Sequence, residues 1–284
     1  MKLSIIIVSY NVCEYLQQCL ASIYKSRIIN NIEVIVIDNH SHDQTQEMIS
    51  KEYPDIIYVQ NQINIGFSKA VNIGMNMATG KYICILNPDT LVCDNTFDFL
   101  INYLKNHPKV GCIGPKILNP NGTLQLSSKR SFPYLSSSFY KLMGLSKLFP
   151  KNRYFGKYNL TYLNQNIIHN VDSISGSFML MPKKIAKLVG KFDESFFMFG
   201  EDIDYCYRIK NVGYDVIYHP GTSIIHYKGE SCKNAPHDMV KTFYTAMQIF
   251  YNKYSSKYFS WKLLGPLVSL LINVRRFISH ISIF

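Results

Sequence analysis

The chain has 284 residues, is 47% hydrophobic and carries a net charge of +11, from 30 Lys+Arg against 19 Asp+Glu. That is enough for one large domain or two small ones. The basic balance suits anionic partners (nucleic acid, nucleotides, phospholipid headgroups) or serves general solubility. Seven cysteines without a CxxC pair argue against a disulfide framework or a zinc site and for reduced thiols in the cytoplasm.

Leu3–Val8 is apolar behind Lys2, but it is short and lacks a cleavage site, so it reads as a buried strand, not a signal peptide. The strand ends in Ser9-Tyr10-Asn11. Residues 14–24 place Leu16, Leu20, Ile23 and Tyr24 at helical spacing. A β-branched run, Ile32–Ile37, closes on Asp38-Asn39-His40-Ser41-His42-Asp43. A helix over 44–52, a short strand over 56–60 and a helix over 66–78 follow. Next comes Tyr82–Leu86, a second buried strand, stopped by Asn87-Pro88-Asp89 because Pro88 cannot continue a central ladder.

This alternation predicts a mainly parallel sheet covered on both faces, with right-handed crossovers. Asp38 and Asp89 then share the C-terminal edge with Ser9, Tyr10 and Asn11, where open α/β sheets bind ligands. A lone Asp there could equally cap the next helix. Gly66 and Gly74 flank Lys69, but there is no GxGxxG and no GxxxxGK[ST], which disfavours a Rossmann dinucleotide site and a P-loop.

In order along the chain, Ser4–Asn11, the Asp38-Asn39-x-Ser41-x-Asp43 turn, Asn64-x-Gly66-Phe67, Asn72-x-Gly74 and Asn87-Pro88-Asp89 resemble the donor half of family 2 glycosyltransferases. These are inverting enzymes of the GT-A fold, an α/β mixed sheet flanked by helices. The Asn-Pro-Asp form is similar to the metal motif of the rhamnosyltransferase-like branch. The resemblance covers roughly residues 3–232. It implies donor binding by Ser9, Tyr10, Asn11, Asp38, Asn39, Gly66, Lys69, Asn87 and Gly176, with Asp38 on the pyrimidine base. It divides the chain into a catalytic domain over 1–232, with a donor half to about 110 and an acceptor half from 111, and a helical tail over 233–284.

Past residue 110, Gly111–Pro115 reads as a short strand and Asn119-Pro120-Asn121-Gly122 as a hairpin-type turn. Ser127–Pro133 carries Lys129 and Arg130. Residues 134–170 show little periodicity and read as a long loop, either an acceptor-facing insertion or a surface loop. Residues 173–181 read as one strand with Gly176 near its start, where a glycine can mark close approach to a ligand. Phe196, Phe197 and Phe199 lead into Gly200-Glu201-Asp202, and Ile203, Cys206, Tyr207 and Ile209 follow at helical spacing. Glu201 and Asp202 thus sit in a first helical turn.

Inverting transfer needs one base for the acceptor hydroxyl. The resemblance puts it on Asp202, with Glu201 beside it. Taken alone, these acids could merely complement the helix dipole. The aromatic run would raise a carboxyl pKa and the helix N-terminus would lower it. Residues 214–220 form another short strand, and Ser223–His226 leads to Gly229-x-Ser231. A lone His is more often structural. The His-x-x-Gly-x-Ser spacing resembles the family segment over the donor diphosphate, implying that Asp89 and His226 share a divalent cation, Mg or Mn, with diphosphate oxygens.

Val240, Phe243, Met247, Phe250, Tyr251 and Tyr254 line one helical face. Within Lys257–Phe284 the longest uncharged run, Leu263–Val274, is too short to span a bilayer. Trp261, Lys257, Lys262, Arg275 and Arg276 suit an interfacial helix on an anionic membrane; packing on the domain or on a second subunit is the other reading. Taken together, a cytoplasmic enzyme at the inner face of the plasma membrane is expected, moving a sugar from dTDP-rhamnose or a UDP-sugar to a glycan or lipid-linked acceptor. Homodimerisation stays open. The rivals are a degenerate sugar-nucleotide-binding or membrane-scaffold protein, and a nucleotidyltransferase, which would want a Gly-rich basic first loop. A nucleic-acid partner is not expected, because no basic-aromatic stripe stands out.

Overall fold

A computed structural model describes residues 2–26, 32–230, 236–255, 270 and 272–274. In chain order the elements are β1 (Leu3–Ser9), α1 (Cys13–Lys25), β2 (Ile32–Asp38), α2 (Thr45–Glu52), β3 (Ile57–Gln60), α3 (Phe67–Met77), β4 (Tyr82–Leu86), β5 (Thr90–Val92), α4 (Thr96–Asn106) and β6 (Val110–Leu118). There follow β7 (Lys129–Arg130), α5 (Leu135–Leu142), α6 (Leu145–Leu148), β8 (His169–Asn170), β9 (Ser173–Ile174), β10 (Phe178–Pro182), α7 (Lys183–Val189), α8 (Glu201–Asn211), β11 (Asp215–His226) and α9 (Pro236–Tyr254).

The main sheet has the order β3-β2-β1-β4-β10-β6-β11-β5, with β8 beside β11. Its first four strands are parallel. β10 runs against both β4 and β6, β11 runs with β6, and β5 runs against β11. The sheet is therefore mixed, an α/β fold with helices on both faces. The strands are long apolar runs because both faces are covered. In β1, Leu3, Ile5 and Ile7 pack under α1, α2 and α4, while Ile6 and Val8 face α3, α7, α8 and α9. The donor and acceptor halves are not separate layers, since β10 and β11 are interleaved with β4, β5 and β6.

Three segments differ from the sequence expectation. Residues 134–170 are not one long loop; they hold α5, α6, a run of turns and β8. Residues 173–181 are broken at Ser175–Ser177, so that β9 pairs with β7 in a small second sheet while β10 joins the main one. Asp215–His226 form one strand, with a register irregularity between His219 and Ser223 that accommodates Pro220. The helical face over 240–254 is α9, held by Tyr254 Oη donating to Asp204 Oδ1 at 2.6 Å and by Lys253 Nζ, 2.6 Å from the same oxygen. The interfacial-helix expectation for 257–284 lies outside the described residues, apart from Leu270 and residues 272–274. Among the described residues, no helix is long and apolar enough to cross a membrane. The six described cysteines are free.

Gly66 caps α3 at φ +84, and a Cβ there would lie 2.6 Å from the Phe197 carbonyl oxygen. That oxygen also accepts the Phe67 N–H at 2.6 Å, so it cannot withdraw without losing the bond. Gly66→Ala is expected to destabilise the fold by roughly 1–3 kcal/mol through backbone strain, read as a lower midpoint in urea unfolding at unchanged slope.

Candidate active site

β1 and β2 are in register from Leu3↔Ile32 to Ser9↔Asp38, and Ile7 of β1 stands opposite Leu86 of β4. Ser9, Asp38 and the Asn87–Asp89 turn therefore emerge along one edge. β11 runs in from the other side and ends there with His226. Asp89 Oδ1 lies 3.1 Å from His226 Nε2, and both side chains are buried. Among the described residues this oxygen has no hydrogen-bond partner.

The reason lies behind the imidazole. Gln125 Nε2 faces two carbonyl-type oxygens, on Asn119 at 3.1 Å and on the His226 backbone at 3.3 Å. That orients Gln125 Oε1 toward His226 Nδ1, 2.8 Å away. An amide oxygen only accepts, so Nδ1 carries the proton. In the neutral ring Nε2 then presents its lone pair toward Asp89 and toward the Asn87 amide at 3.3 Å. A buried carboxylate oxygen beside an imidazole lone pair is a mixed oxygen–nitrogen donor set that suits Mg or Mn, with Gln125 fixing the ligand tautomer from behind. Among the described residues no third His, Cys, Asp or Glu joins the pair.

Asp38 is completely enclosed. Its Oδ1 accepts the Ser41 N–H at 2.7 Å and its Oδ2 the Tyr58 hydroxyl at 2.8 Å. Burial, and then this carboxylate, push the Tyr58 hydroxyl far above its ordinary value. The Asp38 carboxylate thus shapes the 39–43 turn from within; Asn39, next along, lines the cleft. Asn11, at φ +51, accepts the His42 N–H at 2.7 Å and gives its own N–H to Ser41 Oγ at 2.9 Å, locking the same turn. Ser9 is buried, and its hydroxyl has no partner among the described residues. Lys69 projects from the first turn of α3 and is exposed.

A cavity of about 490 Å³ opens between this edge and α9. Tyr10, Asn39, Asn64, Gly66, Asn87 and Pro88 line one side, and Met239, Thr242, Thr245 and Ile249 of α9 line the other. Its size falls within the usual range for small-molecule sites.

Asp202 stands on the far side of the Asn87–Asp89 turn. Its Oδ2 accepts Arg130 Nη2 at 2.6 Å and the Gly176 N–H at 2.8 Å. The close approach that Gly176 permits is therefore to Asp202, whose Cβ would lie 3.3 Å from a Cβ added there. One residue on, the Ser177 carbonyl accepts the Asn87 N–H at 3.0 Å. Asp202 and Asp89 are thus joined through the start of β10. Glu201 is buried beside Asp202, and its Oε2 has no partner among the described residues. Burial, and then the adjacent Asp202, push its carboxyl up to about 8. At Glu201 burial wins over the helix N-terminus. Phe196 is in the core, while Phe197 turns its carbonyl and ring to α3.

Sequence reasoning did not single out Gln125, Arg130 or Tyr58 as members of the site. Gln125 meets His226 across 101 residues and Arg130 meets Asp202 across 72. Nothing local marks either, although Arg130 lies in a basic pair.

The family model described as "Glycosyl transferase family 2" matches residues 4–190. An N-acetylglucosaminyl-diphospho-decaprenol L-rhamnosyltransferase of Mycobacterium tuberculosis is 25% identical over 259 residues, covering 87% of this chain and 83% of the relative. A poly-beta-1,6-N-acetyl-D-glucosamine synthase of Staphylococcus epidermidis is 27% identical over 222 residues, covering 77% of this chain but only 48% of the synthase. Among solved structures, a mannosyltransferase of Pyrobaculum calidifontis in complex with GDP-Man and Mn2+ superimposes with a TM-score of 0.61 at 17% identity, covering 89% of this chain and 63% of that one.

The raised Glu201 carboxyl carries a pH signature. A folded state that holds this proton above the ordinary value of 4.5 gains stability that is complete below about 4.5 and is lost as pH rises through about 8. Urea midpoints of the wild type are expected to fall across that window, and those of Glu201→Gln to fall less. Parallel profiles would place the proton elsewhere.

Proposed function

The chain belongs to glycosyl transferase family 2, and from that membership we propose that this glycosyltransferase moves a sugar from a nucleoside diphosphate donor to a glycan or lipid-linked acceptor. The observation that carries the reading is the buried Asp89 Oδ1 beside His226 Nε2 at the sheet edge. Asp89 and His226 would hold a divalent cation, Mg or Mn. Such an ion, when bound, supplies Lewis-acid charge for a departing diphosphate. The mannosyltransferase of the same fold in complex with GDP-Man and Mn2+ supports that choice. The cavity against Tyr10, Asn39 and Gly66 would take the nucleoside, with Val8 and Tyr10 at the end of β1 in its lining.

For the sugar and acceptor we favour rhamnose and a diphosphate-linked lipid, the pair that the mycobacterial relative is named for. A UDP-sugar is the alternative donor. A role in surface polysaccharide synthesis follows from both curated relatives.

Asp202 is assigned as the base that accepts the acceptor hydroxyl proton. A chain of hydrogen bonds from Asp202 to the Gly176 N–H, and from the Ser177 carbonyl to the Asn87 N–H, supports this reading by linking it to the Asp89 turn. Arg130 and the Gly176 amide position its carboxylate. Burial, and then the adjacent Asp202, raise the Glu201 carboxyl and favour its protonated form.

A thermal-shift panel of nucleoside diphosphates, with and without Mn, tests the function: the cognate nucleotide at about 100 times its dissociation constant stabilises by about 2.7 kcal/mol. Asp89→Ala is expected to abolish the Mn-dependent part of that shift; calorimetry showing unchanged metal-dependent affinity would refute the assignment. In single-turnover assays, Asp202→Asn should lower transfer by about 10²–10⁴-fold with donor binding intact. Asp204→Asn should act mainly on stability. A larger rate loss in Glu201→Gln would move the base to Glu201.

A further inference from the structure

Residues 134–168 contain Lys141, Lys147, Lys151, Arg153 and Lys157 and not one Asp or Glu. Lys147, Lys151, Arg153 and Lys157 are exposed; the Lys141 ammonium is turned in over the Tyr158 ring, and burial and then Arg130 hold it down to about 8. The same segment exposes Leu148 and Tyr154 at 71%, Met143 at 58%, Phe149 at 53% and Phe139 at 46%. These rings are not scattered. Phe139, Tyr140, Phe155 and Phe149 follow one another at centroid distances of 6.0, 5.0 and 5.6 Å. An apolar, aromatic patch of this kind on a protein surface marks an interaction site. Asp172, which bears on Tyr134 from outside the segment, is engaged by the Phe132 N–H at 3.0 Å.

We propose that α5, α6 and the turns to Lys157 form the surface by which the protein lies on an anionic phospholipid membrane, with Leu148, Phe149 and Tyr154 entering the headgroup boundary and Lys147, Lys151, Arg153 and Lys157 meeting lipid phosphates. Exposed apolar and aromatic side chains ringed by Lys and Arg are the composition of an interfacial anchor. A second copy of the chain is disfavoured as the occupant, because an isologous contact would set this unrelieved positive charge against itself. The surface is coupled to the acid centre. Lys141 Nζ sits 4.0 Å over the Tyr158 ring, and the Tyr158 carbonyl accepts the Ser131 N–H at 2.8 Å, one residue after Arg130, which holds Asp202. A lipid-borne acceptor in that membrane would meet Asp202 without leaving the bilayer surface. The docking surface itself does not rest on the acceptor reading, since vesicle binding is measured without donor or acceptor.

The test is flotation of the full chain with vesicles of phosphatidylglycerol and phosphatidylcholine, and with phosphatidylcholine alone. Wild type should float with the anionic vesicles, less so at high salt, and not with neutral ones. Leu148→Glu/Phe149→Glu should lower binding by about tenfold or more at unchanged melting temperature, because both side chains are exposed. As a second readout, Leu148→Trp in a Trp261→Phe background leaves one indole, whose emission should shift to the blue only with anionic vesicles. Wild-type flotation of the Glu variant, equal binding to neutral vesicles or an unshifted indole would overturn the proposal. A change of oligomeric state in the Glu variant with vesicle binding intact would do so too, and would make the patch an interface between copies.

Discussion

The site depends on the direction of one short strand. β10 enters the sheet between β4 and β6 against both of them. Its first residue, Phe178, therefore lies opposite Leu86, the last residue of β4. The turn before it is delivered to the very edge where the Asn87–Asp89 turn begins. Ser177 accepts from Asn87 there, and Gly176 donates to Asp202. A parallel β10 would have left those groups on the opposite side of the molecule, with Asp202 facing no amide. The spacing of the two carboxylates is set by backbone pairing, which is stiffer than any arrangement of side chains.

The first turn of α8 holds three buried acids, and the fold satisfies each by different means. Asp202 has a guanidinium and an amide. Asp204 is wholly enclosed and receives Arg208, Tyr254 and Lys253, so its role is to bind α9 to α8. Glu201, with one oxygen unmatched among the described residues, keeps its proton. Removing one partner of a buried pair leaves an uncompensated charge. The helix that roofs the donor cavity is thus held by a charge cluster within two residues of the proposed base.

The strands of the first hundred residues were legible because each is an apolar, β-branched run closed by polar residues, and that pattern admits few other structures. The gathering of Ser9, Asp38 and Asp89 at one edge followed from parallel pairing alone. The approach of His226 to Asp89 was reached only through resemblance, since a single histidine has no local signal. α5 and α6 were missed because their apolar residues face outward as well as inward, which blurs the helical period. The division of 173–181 into two strands was hidden because Ser175-Gly176-Ser177 is compatible with a strand until Asp202 supplies an acceptor for the Gly176 amide. Gln125 and Arg130 act across 101 and 72 residues, a range at which spacing says nothing. The identity of the protonated acid was equally out of reach, because it depends on how completely each neighbour excludes water.

The interleaving of strands also sets how such enzymes can be recombined. The family pattern ends at residue 190, before α8 and β11. Those later elements are not an appended module: β11 lies between β6 and β5 in the same sheet and brings His226 to Asp89. A chimera joined near residue 190 would import a sheet strand, the imidazole beside Asp89 and all three acids of the first turn of α8 from one parent. Gln125, Arg130 and Asp89 would come from the other. Residues 134–168, which lie between β7 and β8 and add no strand to the main sheet, form a segment that could be exchanged without breaking its strand pairing.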